Sequence, residues 1–282
     1  MTKILRYFLL SLVLSSLACT LGGLLPTEGT QPTAEVPSSP LETTPFPPEE
    51  EQETPSPQPT TAEPTASPTA QATLPLPTGQ CQNEFYPVVQ GATWQYQMSG
   101  VSSDTFVRSI TAVREDGFDD QDVFGMGTVR QGSWACRAGD LIALTPGGGA
   151  FVSAGTMQTN FTVESNQGIS LPANPQLGQG WSQAIAYRGQ SEMGGTSFKT
   201  RTFLERSCVA ANFERVRVPA GEFEALRVDC STKIDFSISD MSTFSVSETG
   251  SVWYASGVGM VKSSSSDQAA NIEIVLLTYN IP

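Results

Sequence analysis

The run Leu226-Arg227-Val228-Asp229-Cys230-Ser231-Thr232-Lys233-Ile234-Asp235-Phe236 decides the fold. Leu226, Val228, Cys230, Thr232, Ile234 and Phe236 fall on one side of an extended chain, opposite Arg227, Asp229, Lys233 and Asp235. Successive side chains of a strand point to opposite faces, so a period of two with one apolar face marks a half-buried β-strand. The pattern recurs outward from this run. Trp94, Tyr96 and Met98 alternate with Gln95 and Gln97, Val216 and Val218 with Arg215 and Arg217, and Ile272, Ile274 and Leu276 repeat the theme near the end. Turn formers stand between the runs: Arg137-Ala138-Gly139-Asp140, Pro146-Gly147-Gly148-Gly149 and Pro219-Ala220-Gly221. No stretch carries a 3.6-residue apolar stripe of helical length. The expected fold is all-β, a single antiparallel β-sandwich or partly closed barrel-like domain over residues 81–282. Pro87 to Gly91-Ala92-Thr93-Trp94 is echoed by Pro175 to Gly178-Gln179-Gly180-Trp181, a hint of two similar half-sheets.

Upstream the composition changes. Of 20 prolines in the chain, 14 lie between Thr20 and Gln80, alongside eight glutamates and no lysine or arginine. Too few apolar residues are present there to offset chain entropy, so residues 19–80 are read as a disordered Pro/Thr/Glu-rich tether. Fully extended, such a segment reaches on the order of 190 Å. Residues 1–18 read as an export leader, with Lys3 and Arg6 ahead of the apolar Phe8–Leu17. Leu17-Ala18-Cys19 resembles a bacterial lipobox, although Ser16 stands where a leucine is usual. Cys19 is the expected lipidation site, carrying diacylglycerol and palmitate. Two other readings stay open: an ordinary thiol beyond a conventional cleavage site, or an uncleaved anchor over Tyr7–Leu25. All three put the bulk of the chain outside the cytoplasm, most simply on the outer face of the bacterial cell membrane or outer membrane.

The formal charge of −13 argues against a nucleic-acid partner, which needs a basic face. The chain has no histidine. That removes Ser-His and Cys-His nucleophile pairs, histidine general bases and histidine-ligated metals. Four cysteines remain after Cys19, and an even number in an exported domain favours two disulfides among three possible connectivities. Cys208–Cys230 is the favoured bond because both flank the hairpin turn at Pro219-Ala220-Gly221 at similar distance; Cys81–Cys136 follows by subtraction. A catalytic thiol and a Cys₄ zinc site are the poorer readings, since no histidine and no CxxC pair is present. The acidic run Glu115-Asp116-Gly117-Phe118-Asp119-Asp120-Gln121-Asp122 lacks the ligand spacing of an EF-hand and is expected to be a solvated loop between strands.

Three stretches carry a resemblance: Phe85-Tyr86-Pro87 leading to Gly91-x-x-Trp94-x-Tyr96, then Val218-Pro219-Ala220-Gly221-Glu222-Phe223, then Trp253-Tyr254 leading to Gly257-Val258-Gly259-Met260-Val261-Lys262. In this order they resemble a loose group of exported bacterial domains of unknown function, many of them lipoproteins. The resemblance implies an antiparallel β fold and an envelope location, with no activity to carry over. The expected role is non-catalytic binding or scaffolding, with an envelope polysaccharide or protein as partner and the membrane reached through the lipid. No cofactor is expected. A carrier of a lipid or other hydrophobic ligand is the second class, and a hydrolase using two carboxylates the third.

Overall fold

The structure, a computed structural model, describes residues 79–100, 103–145, 151–154, 157–193, 196–239, 243–266 and 271–282. The leader, Cys19 and most of the tether lie outside them, as does the Pro146–Gly149 turn. Among the described residues there are thirteen strands and no helix: β1 (Thr93–Ser99), β2 (Asp104–Arg114), β3 (Gly117–Phe124), β4 (Val129–Arg137), β5 (Asp140–Ala143), β6 (Phe151–Ala154), β7 (Met157–Gly168), β8 (Gly180–Met193), β9 (Thr196–Val218), β10 (Gly221–Ile238), β11 (Phe244–Ala255), β12 (Gly259–Ser266) and β13 (Asn271–Asn280).

Every neighbouring pair is antiparallel. Sequential hairpins carry the sheet from β1 to β4 and from β6 to β13; β4 pairs β6, and β13 pairs β1. With β3 also bonded to β4, the ladder closes on itself. Of the two expected architectures the barrel is the one formed. Closure satisfies the backbone groups an open sheet would leave at its edges. The short β5 shares the far edge of β4 with β6 and bridges to Leu171.

The alternation in β10 explains its place. Leu226, Val228, Thr232 and Ile234 are buried inward, and Arg227, Asp229, Lys233 and Asp235 stand outward. The β9–β10 connection uses Gly221 at φ 143°, a left-handed backbone that a Cβ would strain. The tip of this long hairpin folds back, and the Ala220 N–H donates to the Leu276 carbonyl at 3.1 Å.

One end of the barrel is filled. The segment before β1 runs across it, touching turns that lie far apart around the ring. The Gly139 N–H donates to the Gln80 carbonyl at 2.7 Å, and the Gly257 N–H to the Glu84 carbonyl at 2.8 Å. Asn83 Nδ2 donates to the Gly139 and Pro172 carbonyls, both at 2.9 Å. Phe85, Tyr86 and Val88 then enter the apolar core with Trp94, Tyr96, Phe118 and Leu226. The two Gly-x-x-Trp echoes both lead into strands, with Gly91 at φ 83° and Gly178 at φ 79°. Trp94 Nε1 donates to the Val258 carbonyl at 2.7 Å, and Trp181 Nε1 to the Ser170 carbonyl at 3.0 Å.

Candidate functional site in the barrel lumen

The acidic run is not a solvated loop. Only Glu115 and Asp116 form a turn, and from Gly117 the run is strand β3. Asp120 and Asp122 follow Phe118 at a period of two, so all three point into the barrel and are buried, while Asp119, Gln121 and Val123 face out. Desolvating two carboxylates is costly unless partners are supplied, and the adjacent strands supply them. Arg108 on β2 and Arg130 on β4 are the register partners of Asp122. Arg108 grips Asp122 in a fork, Nε to Oδ1 at 2.8 Å and Nη2 to Oδ2 at 2.9 Å. Arg130 Nη2 donates to Asp122 Oδ2 from the other side. Burial pushes the Asp122 carboxyl up, but Arg108 and then Arg130 outweigh it and hold it down at about 2.

Asp120 has weaker company. Its Oδ2 accepts from Trp134 Nε1 at 3.1 Å and from the Tyr86 hydroxyl at 3.4 Å, which ties the entering segment to the lumen. Burial raises its carboxyl to about 6; Arg108 opposes the rise, and Asp122 beside it adds to it. An acid raised in this way holds a proton in the fold that the unfolded chain releases near its ordinary 3.8. The resulting stability is complete below that value and is lost as pH climbs through about 6, by on the order of 3 kcal/mol. The Asp122 shift acts the other way, adding stability as pH rises from about 2 to 3.8, and is complete before the Asp120 decline begins. Asp120→Asn keeps an acceptor for Trp134 and Tyr86. It is expected to flatten the stability profile between pH 4 and 7 in denaturant titrations, where the parent chain declines. A flat parent profile over that range contradicts the assignment.

These groups form one wall of a cavity of about 250 Å³ that strands around the barrel enclose. Phe106, Ile185, Tyr187, Leu204, Val252 and Tyr254 supply apolar and aromatic wall; Arg108, Asp120, Arg130, Arg206 and Glu248 supply charge. The volume lies just under the ~300–1,000 Å³ of ordinary small-molecule sites. A second concavity, of about 880 Å³, lies in part on the outer face, over Ser207, Arg227, Asp229, Ser264 and Glu273. Its main ion pair is closed on itself, because Arg227 Nε and Nη2 meet Asp229 at 2.8 and 2.9 Å and Ser251 Oγ joins at 2.6 Å.

Both expected disulfides are present. Cys81–Cys136 fastens the entering segment to β4, and Cys208–Cys230 joins register partners on β9 and β10. The tryptophan–tyrosine pair divides as strand geometry requires. Tyr254 lines the cavity, while Trp253 faces out beneath Lys262 Nζ, 5.5 Å from its ring centre, and donates to Glu214. The luminal charges were missed in the sequence. Their trace in the sequence is a cation on the inward face of an alternating run, Arg108 in Phe106-Val107-Arg108-Ser109-Ile110 and Arg206 in Leu204-Glu205-Arg206-Ser207-Cys208.

Residues 152–273 match the family model described as DUF3108-like. The match covers under half of the chain, from β6 into β13. Among solved structures, a "putative lipoprotein" from Parabacteroides distasonis ATCC 8503 is 15% identical with a TM-score of 0.47, over 70% of this chain and 99% of that one. A "putative exported protein with YmcC-like fold" from Bacteroides fragilis NCTC 9343 is 14% identical with a TM-score of 0.42, over 70% and 99% of the two chains. The lipoprotein YmcC from Escherichia coli K12, named as hypothetical, is 9% identical with a TM-score of 0.34, over 71% and 88%. No curated protein matches the chain.

Proposed function

We propose that the chain is an exported lipoprotein whose barrel holds a small ligand in its lumen without transforming it. The observation that carries this reading is the cavity of about 250 Å³ in the barrel lumen, walled by apolar, small polar and charged side chains. Export is supported by the leader-like start and by two disulfides, which persist in oxidising compartments. The barrel replaces surface scaffolding as the favoured role, because the charges of the outer groove already satisfy one another.

One observation favours the hydrolase reading: Asp120 and Asp122 share a face, and Asp120 is raised to about 6. Against it, both Asp122 oxygens are taken by arginines, so neither is free to attack or to activate water. Native mass spectrometry of the full chain from an exporting host tests the choice. Binding predicts a retained small mass that leaves on denaturation; a bare chain that shows no retained mass after exposure to host lipid extract overturns it. Cys19→Ser is expected to move the protein from the membrane fraction to the soluble one, and continued retention would point to the uncleaved anchor.

A further inference from the structure

The three luminal arginines are not equivalent. Arg108 and Arg130 are both committed to Asp122. Arg206, on β9, sends Nη2 to the Cys230 sulfur at 3.4 Å, and sulfur is a weak acceptor. Its Nε–H is shut off from solvent and has no hydrogen-bond partner. Leaving a buried charged donor unmade costs more than leaving a neutral one, and native folds rarely tolerate it. The donor therefore points to an acceptor that arrives with a ligand.

The surroundings say what kind. Arg206 lies in a row with Gln183 on β8, Thr232 on β10 and Glu248 on β11. Gln183 is already spent, its Nε2 donating to the Ala143 carbonyl at 2.8 Å and its Oε1 accepting from Ser170 Oγ at 2.6 Å. Glu248 has its own interactions. Beyond this row Leu204, Ile185, Tyr187, Val252 and Ile274 give the wall its apolar part, with Thr202 and Ser263 among its small polar residues. A cationic fork set in a mainly apolar chamber fits a molecule with an acidic head and a hydrocarbon body. The small volume fits one short chain.

Resting on the luminal reading above, we propose that Arg206 is the recognition residue for the carboxylate or phosphate head of a single-chain amphiphile, whose tail lies against Leu204, Ile185 and Tyr187.

The test uses the full chain carrying Cys19→Ser, exported and purified without detergent, then stripped of ligand by solvent extraction and checked for a native circular dichroism spectrum. Decanoate, decyl phosphate and decanol are titrated by calorimetry. The proposal expects one site for decanoate or decyl phosphate and binding of decanol ~10–100-fold weaker, the span of one charged hydrogen-bonded contact. The stronger of the two acids names the head group. Arg206→Met should bring that acid down to the decanol level while leaving decanol unchanged, and Arg206→Lys should restore part of the difference. Equal binding of acids and alcohol, or an Arg206→Met chain that keeps the preference, overturns the role of Arg206 and leaves the luminal site standing. No binding of any of the three, or full binding by an Ala143→Trp chain whose lumen is filled, overturns the luminal reading itself. Should Arg206→Met fail to fold, the acid–alcohol contrast in the parent chain and the Arg206→Lys result still decide.

Discussion

Asp122→Ala is expected to cost about 3–5 kcal/mol of folding stability, the largest loss from any single substitution in the lumen. The residue is buried, and two guanidinium groups share its carboxylate. Removing it takes from Arg108 and Arg130 the carboxylate that they share, and Asp120, raised toward its neutral form, is a weaker substitute. The size of the effect reflects stranded charge and not the net worth of the ion pairs, and a second variant separates the two. Replacing Arg108, Asp122 and Arg130 together with methionine, leucine and methionine should recover most of the loss, since a buried triad can often be exchanged for apolar packing at little cost. Denaturant midpoints of the three proteins check this. A loss under 1 kcal/mol for Asp122→Ala would mean that water reaches the cluster and that the lumen is wetter than the burial of these groups indicates.

The second large effect is at the plugged end. Cys81 and Cys136 are 55 residues apart, and closing a loop of that size is worth about 4 kcal/mol in the chain-entropy account. The double serine variant is expected to lose about that much. Cys208–Cys230 spans 22 residues, so its loss should cost less, about 3 kcal/mol. The first bond also has a local task. Residues 79–92 are held to the barrel by backbone bonds at Gly139 and Gly257 and by the burial of Phe85 and Val88. Cutting the disulfide should raise protease cleavage before β1 ahead of cleavage elsewhere. Unfolding with unchanged midpoint and no new cleavage would show that the apolar contacts alone seat the plug.

How much was legible follows from where the signal is local. Strand β10 announces itself in Leu226 to Phe236 because its inward side is apolar and its outward side charged. The hairpin at Gly221 and the Cys208–Cys230 bond could be read together, since equal distances from a turn make register partners. Closure was not legible. The β13–β1 contact joins residues such as Trp94 and Tyr279, far apart in the chain, and nothing in either strand specifies the other. The lumen was hidden for a different reason. On β3 the usual code is inverted: Asp120 and Asp122 face in and Val123 faces out, 43% exposed. Acids beside a glycine look like a loop whenever the inside is assumed to be oil. A barrel with a polar interior breaks that assumption on two adjacent strands, because Val107 on β2 also faces out, beside the inward Arg108. Arg206 was hard to read because apolar residues stand on both sides of its run, Leu204, Cys208 and Ala210 on its own face and Phe203 and Val209 on the other.

The lumen of the barrel is the binding site that we propose. A crystal structure of the full chain, purified from an exporting host without added ligand exchange, tests it most directly. The expected result is a bound molecule inside the barrel, its polar end within hydrogen-bond distance of Arg206 Nε and its body against Leu204, Ile185 and Tyr187. A lumen holding only water, with a ligand seated instead in the outer groove over Arg227 and Asp229, would contradict it.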